Sequence, residues 1–567
     1  MPSRRKTIAT IAGLALLATA GCGDADAKNG PKPPRTGGTV HVVVSAKPSH
    51  LDPQRVATAT EANVSRLVSR TLTTFRSEPG AASSEIVGDL ATDAGRPSEG
   101  NRVWDFQLKD DVRWEDGTPI TCPDVKHGVE RSFSGLFSVA QPYAKTYLAD
   151  ADGYAGPFTG GDNGGKGLTS VQCVDPRNIR FTLNQPIGDF GYTVAMSVFA
   201  PVPAKSDTRG DYDKHPVSSG PYKLQENTDQ RLVYVRNPYW DRKTDGVRKA
   251  YPDKIVIEAD GDLPTVTSNL ITSDGDNADA IDLDKNVAPN FVQQVINDPD
   301  LSARAVQGGY GGIRYLAINS RRIPDLACRQ ALVYAFDKRK FRAAAGGSVY
   351  GDYATTMIAP QLKAHKDFDV YDSAGNVEGK PDVALKLMDE QQKKGRPCAG
   401  ALTLSIPDQK DIRRLAATVV ETYQQIGIQI KVNGIDPETY FDVIGNPGNT
   451  NDLLWAGWIP DWANGSAVIP PLFDGRLIPA GAGATNNQNY GLLNDTDIND
   501  RISAALAESV PERQYRLWGE LDQKIAEQAV AIPIVYMKAL RMAGTNIRGG
   551  FIHPQFGQPD LCAIGLA

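Results

Sequence analysis

The chain is poor in the residues from which metal centres and reactive sites are made. Its 567 residues include six histidines and six cysteines. The histidines are scattered, and no Cys-x-x-Cys or Cys/His spacing suits zinc. The acid-rich stretch Asp274 to Asp284 lacks the positioned glycine and terminal glutamate of a calcium loop. Gly160 to Gly167 approaches a phosphate-binding loop, but Gly167 stands where Ser or Thr is required and no apolar strand leads into it. Neither a Gly-x-Ser-x-Gly elbow nor a His-Glu-x-x-His pair occurs. No enzyme activity, metal or cofactor is therefore expected. Runs of Lys and Arg are missing as well, and a formal net charge of −6 with a pI near 5.7 gives no broad attraction to nucleic acid.

Long apolar runs are absent except at the start. Arg4, Arg5 and Lys6 precede Ile8 to Ala20, too short a run for a spanning helix and suited to a signal peptide. It ends in Thr19-Ala20-Gly21-Cys22, which resembles a bacterial lipobox with Thr19 in the place usually held by Leu. Cys22 is the expected lipidation site. Ser3-Arg4-Arg5 touches on a twin-arginine signal, with Thr7 where that signal prefers a bulky apolar residue, so the export route stays open. Residues 23–38 are rich in Gly, Pro, Asp and Lys and read as a flexible tether.

What remains is long enough for two or three cores. Val40 to Val44 form a short β-branched run. Trp104, Phe106 and Leu108 alternate as a strand, Asp116-Gly117 signals a tight turn, and Thr121-Cys122-Pro123-Asp124 opens a helix. Ile179, Phe181 and Leu183 mark another strand. Asp325 is placed to cap a helix. Ile412, Leu415, Val419, Tyr423 and Ile426 share one helical face, Gly427 stops it, and Ile428, Ile430 and Val432 alternate as a strand. Leu517, Leu521 and Ile525 lie on one more amphipathic helix, closed by Ala531-Ile532-Pro533. Helix alternating with strand implies an α/β protein.

One stretch stands apart. Trp455-Ala456-Gly457-Trp458-Ile459-Pro460-Asp461-Trp462-Ala463-Asn464 holds three tryptophans around a single carboxylate and has neither helical nor alternating periodicity. It reads as a shaped loop. A carboxylate among indoles keeps its charge only if a cation or several N–H donors meet it, which an amine-bearing ligand would supply. The competing reading makes the tryptophans core and Asp461 the cap of a helix starting at Trp462.

With Gly457-Trp458 and Asp461, the Gly37-Gly38-Thr39 and Leu51-Asp52-Pro53 opening, the segment Trp104 to Arg131, Ser218-Ser219-Gly220-Pro221-Tyr222 and Tyr315 to Lys338, the chain resembles the family 5 solute-binding proteins of ABC importers, the dipeptide and oligopeptide receptors. The resemblance implies a type II (cluster C) periplasmic-binding-protein-like α/β fold of three lobes, with the ligand cleft between the two larger ones. Lobe I would comprise 39–77, 204–312 and 539–567, lobe II 78–203, and lobe III 313–538. It further implies that Asp461 binds a peptide's α-ammonium while Trp458, Trp455, Trp462 and Tyr440 line side-chain pockets. Arg413 or Arg414 is a guess for the ligand carboxylate, and Tyr143 and Tyr147 lie within conceivable reach.

Within those lobes, Cys122 would pair with Cys173 and Cys328 with Cys398, leaving Cys562 over. The alternative is that all five are small buried hydrophobes. The expected partners are a short peptide, an ABC permease with its ATPase subunits, and the membrane through the lipid anchor. The expected state is a monomer on the outer face of the bacterial cytoplasmic membrane. The alternatives are the same fold binding a non-peptide solute such as an oligosaccharide, a surface signalling receptor or adhesin, and an anchored hydrolase.

Overall fold

The computed structural model describes residues 33–137, 141–158, 167–481, 484 and 487–567. The signal segment, Cys22, the tether up to residue 32 and residues 160–166 lie outside the described residues. Three larger sheets organise the chain. The first has five strands in the order Ala280–Asp282, Thr39–Val44, Lys254–Ala259, Arg231–Arg236 and Tyr222–Asn227. Its first three strands are parallel and the last two antiparallel. The second is a four-stranded antiparallel sheet, Arg96–Ser98, Val103–Gln107, Asn178–Thr182 and Val171–Cys173. The third has six strands, ordered Gly351–Tyr353, Ala531–Arg541, Val306–Ile318, Leu453–Trp458, Ala401–Pro407 and Gln429–Ile435.

Local signals explain the elements. Asp325 caps the helix Leu326–Ala335, its carboxylate accepting from the N–H groups of Ala327 and Cys328. The helix Lys410–Gln424 buries Leu415, Val419 and Tyr423, and Gly427 follows at φ +77°, a left-handed conformation that glycine adopts without a Cβ clash. Disulfides join Cys122 to Cys173 and Cys328 to Cys398, and Cys562 is a buried free thiol. Among the described residues no helix is long and apolar enough to cross a membrane.

Two long strands carry the chain between cores. Val306, Tyr310 and Ala539 pack with Val42 and Ile257 around the five-stranded sheet, whereas Ile313 to Ile318 and Ile532 to Tyr536 pack into the core of the six-stranded one. Between these ends lies Gly308-Gly309-Tyr310-Gly311-Gly312, and the pairing of the two strands breaks register between Gly309 and Ile313. Four glycines in the strand Val306–Ile318 and an interrupted ladder leave this stretch with few side chains to pack and its pairing broken.

Three expectations change. The tether does not run free to residue 38: the Arg35 N–H donates to the Leu566 carbonyl at 2.9 Å and that of Gly37 to Tyr251 at 2.8 Å. Trp455 to Trp458 are strand, not loop. Leu453 to Ala456 are buried in mid-sheet, so the run is apolar on both faces and carries no alternation to read. Ala531-Ile532-Pro533 does not merely close a helix but begins the strand Ala531–Arg541, with Pro533 beside a second register shift.

Candidate functional site

The strand Leu453–Trp458 ends at Trp458, and the chain turns out of the sheet through Ile459-Pro460-Asp461. This turn forms one wall of a cavity of about 270 Å³. The opposite walls come from distant parts of the chain, including Arg66, Gln141, Arg248 and Gln555. The site therefore sits where a strand of the six-stranded sheet ends, the usual place for ligands in α/β folds.

The tryptophans build this turn rather than line the cavity. Trp455 is 2 % exposed, packs its ring 5.5 Å from Phe341 and carries the Arg314 guanidinium 5.3 Å from its centroid. Tyr440 is fully buried, with its hydroxyl 2.7 Å from the Trp455 carbonyl and 3.0 Å from that of Ser405. Half-buried Trp458 donates its indole N–H to the Ala467 carbonyl at 2.7 Å, and Trp462 donates to Ser466 Oγ at 2.7 Å. None of the four is among this cavity's walls. The Trp458 and Trp462 indoles and the Tyr440 phenol each find a polar partner close by, as buried Trp and Tyr do. Asp461 caps no helix: the next helical turn, Gly465–Ala467, is capped by Asn464.

Asp461 is the group left facing the cavity. Its carboxylate accepts from the Tyr143 hydroxyl, and among the described residues no cation pairs with it. Burial raises its pKa and the tyrosine's hydrogen bond works against that rise. The Tyr143 phenol is pushed well above its ordinary value by burial and by the Asp461 charge. Tyr143 opens the short helix Tyr143–Tyr147 and meets Trp462 edge-on at 4.9 Å. Tyr147 stacks on it at 6.1 Å.

The cations of the cavity are already paired. Arg248 bonds Asp89 at 2.8 Å and Asp245 at 3.1 Å. Arg66 donates to Asp560 and to the Phe75 carbonyl, both at 3.0 Å, and its Nε is left without an acceptor. Arg413 and Arg414 lie elsewhere, exposed, bound to Asp408 and to the Ala344 carbonyl. Neither lines this cavity. Sequence reading missed Arg66, Gln141 and Gln555 because they converge only in the fold. The one local signal was the polar, Pro- and Gly-broken segment His553-Pro554-Gln555-Phe556-Gly557, which resembles the Asp461 turn in kind.

Among the described residues no cluster of His, Cys, Asp and Glu is arranged to hold a metal ion. The arrangement is that of a binding site: a charged acceptor, free polar atoms and apolar walls around an enclosed space.

Comparison with known proteins agrees. The chain is similar to the clavulanic acid biosynthesis oligopeptide binding protein 2, with a TM-score of 0.85 and 31% identity over 94% of this chain and 96% of that one. It is 22% identical over 541 residues to the probable D,D-dipeptide-binding periplasmic protein of Escherichia coli (strain K12), covering 91% of both chains. The periplasmic murein peptide-binding protein of the same organism is 23% identical over 516 residues, 87% of this chain and 86% of that one. In its unliganded open form, the murein tripeptide binding protein superposes with a TM-score of 0.74 at 20% identity over 94% of this chain and 98% of that chain, sharing the mixed α/β, type II periplasmic-binding-protein-like fold. The model of the bacterial extracellular solute-binding proteins, family 5, matches residues 85–477, and the chain belongs to that family.

Proposed function

We propose that this protein is the lipid-anchored, extracytoplasmic receptor of an ABC importer. It captures short peptides and delivers them to the permease and its ATPase subunits. The observation that carries the reading is Asp461: a buried carboxylate on a cavity wall, held by one tyrosine and lacking a cation. A peptide α-ammonium supplies that cation, and such pairing is strong once water is excluded. The named relatives bind dipeptides and murein peptides, which supports the substrate class. Anchoring through Cys22 rests on the sequence pattern alone, as do the outer face of the membrane and the monomeric state. No enzymatic step is assigned.

Native mass spectrometry of the domain following Cys22 tests this, first as purified and again after unfolding, stripping and exposure to a mixed peptide pool. Retained masses of di- to pentapeptides are expected. Retention of an oligosaccharide or another solute, with no peptide, overturns the substrate class and leaves the fold.

A further inference from the structure

We propose that a second cavity, where the tether meets the folded chain, is a site for the phosphodiester headgroup of an anionic phospholipid. It takes from the proposed function only the anchoring at Cys22.

This cavity, of about 820 Å³, shares no wall residue with the one at Asp461. Lys249, Arg304 and Arg548 reach it from three distant stretches of the sequence. Among the described residues no carboxylate pairs with any of them. Arg304 donates to the carbonyls of Leu270 at 3.0 Å, Ile271 at 2.9 Å and Ala543 at 3.2 Å, and Arg548 to those of Thr545 and Ile547, both at 2.8 Å. Lys249 is bonded through its backbone N–H, to the Cys562 carbonyl at 3.0 Å. Against these three cations, Glu78 is the one acid among the walls. Asp298 and Asp300 act on the Arg304 charge from the start of its own helix, Pro299–Arg304, without an ion pair.

Arg304 also closes the end of the helix Leu263–Thr272 through Leu270 and Ile271. That role accounts for its bonds and leaves Lys249 and Arg548 on the same cavity without a reason. Main-chain carbonyls fix the direction of both guanidinium groups and leave their charge uncancelled, which suits a phosphate. On a chain of net charge −6, this local excess of positive charge runs against the overall field.

The tether indicates where such a phosphate comes from. Pro34 is itself a wall, and carbons built on Gly549 and Gly565 would stand 3.0 Å and 2.8 Å from its ring. The Gly37 N–H donates to the carbonyl of Tyr251, another wall, at 2.8 Å. The chain thus leaves the fold at the rim of this cavity. Twelve residues separate Pro34 from Cys22, a flexible span of about 20 Å. A lipid on Cys22 therefore keeps the cavity beside the headgroup layer. Half-buried Tyr251 and Phe551 on its walls are aromatic rings of the kind that settle at that level. Lipid and headgroup together would fix the orientation of the receptor on the membrane, which the tether alone leaves free.

The experiment uses the chain from Gly23 onward, which keeps every described residue and carries no lipid. Co-sedimentation is measured with vesicles of phosphatidylglycerol mixed with phosphatidylcholine, with phosphatidylcholine alone, and with soluble glycerophosphoglycerol as competitor. Binding to the anionic vesicles alone is expected, weakened about fivefold by Lys249→Gln or Arg548→Gln and about twenty-five-fold by both. These variants leave Arg304 and its helix in place, and their melting temperature and peptide capture should not change. Lys394→Gln/Lys410→Gln removes the same charge from exposed positions off the cavity and should leave vesicle binding as it was. No binding to anionic vesicles, an equal loss in that control pair, or no loss in Lys249→Gln/Arg548→Gln overturns the assignment. Binding of the soluble headgroup with none to vesicles overturns the membrane as its source. The anchor is tested apart from this, by the mass of the Cys22 peptide from the full chain purified from membranes. A missing acyl group there overturns the anchoring, whereas the vesicle result stands on the cavity alone.

Discussion

The Tyr143 hydroxyl donates to the Asp461 carboxylate, and this bond joins two sheets' worth of structure. Tyr143 lies in the segment that carries the four-stranded sheet, and Asp461 leaves the end of a strand in the six-stranded one. Nearby, Asp189 accepts from Asn464 Nδ2 at 2.7 Å and from the Ser466 hydroxyl at 2.5 Å, again across the same boundary. The turn bearing the candidate ligand group is thus held by side chains from both segments. A ligand ammonium would join an acceptor that is already oriented, which limits the ordering needed on binding.

Replacing Asp461 separates its two roles. Burial raises its pKa, so the folded protein holds the proton at a pH where the unfolded chain has released it. Folding stability contributed by this site is therefore lost as pH rises above the unfolded value and is not recovered at neutrality. Asp461→Asn should raise the melting temperature of the ligand-free protein at pH 7 and weaken capture of free-amine peptides by about 3–5 kcal/mol. Melting curves with and without peptide read both effects. A fall in the ligand-free melting temperature would show that the carboxylate stabilises the fold, contrary to this account.

His553 predicts acid sensitivity. Its Nε2–H donates to the Arg76 carbonyl at 3.2 Å and its Nδ1 accepts the Gln555 N–H at 3.2 Å, an arrangement that requires the neutral ring. Burial, with the Arg66 charge, pushes its pKa down to about 4 despite Asp560. The folded-state value lies below the unfolded one near 6.5, so this contribution is complete above that pH and is lost as pH falls toward 4. The whole effect is on the order of 3 kcal/mol. Urea unfolding at pH 7 and pH 5 should show a larger loss for the wild type than for His553→Gln. Identical losses would remove His553 from the explanation.

The disulfides span 51 and 70 residues, and each should stabilise the fold by about 4 kcal/mol through the unfolded chain. Cys122→Ser/Cys173→Ser and Cys328→Ser/Cys398→Ser should each lower the unfolding midpoint without abolishing peptide capture. The free thiol gives an independent check. Burial pushes Cys562 up to about 12, so it should resist alkylation in the native protein and react once the chain is unfolded without reductant. Two or more reactive thiols in the domain after Cys22 would contradict the pairing.

Much of the fold was legible because several elements bury one face only. Ile179 and Phe181 are buried while Arg180 between them is exposed, so the period of two survives in the sequence. The helix Lys410–Gln424 keeps its apolar stripe for the same reason. The strand Leu453–Trp458 failed that test because it lies inside its sheet, buried on both faces. Asp461 was legible as a carboxylate out of place among apolar residues. Gln141 and Gln555 were not, since they lie far apart in the chain and meet only on the wall of the assembled cavity.

The glycine segment between the two cores reaches the candidate site. A Cβ built on Gly311 would stand 2.8 Å from Leu362 Cδ2 and 3.1 Å from Pro460 Cγ, the residue beside Asp461. Gly311→Val would press on that turn and also stiffen the segment where the strand pairing is interrupted. The expected result is a stability loss of about 1–3 kcal/mol, from overpacking, together with weaker peptide capture. Gly210→Ala, with nothing within 4 Å of the added carbon, is the control and should change neither. If Gly311→Val lost stability yet bound peptide with unchanged affinity, the turn at Pro460 would be independent of the strand beneath it. A parallel loss of both would tie this strand to the candidate site through one proline, as the approach of Gly311 to Pro460 requires.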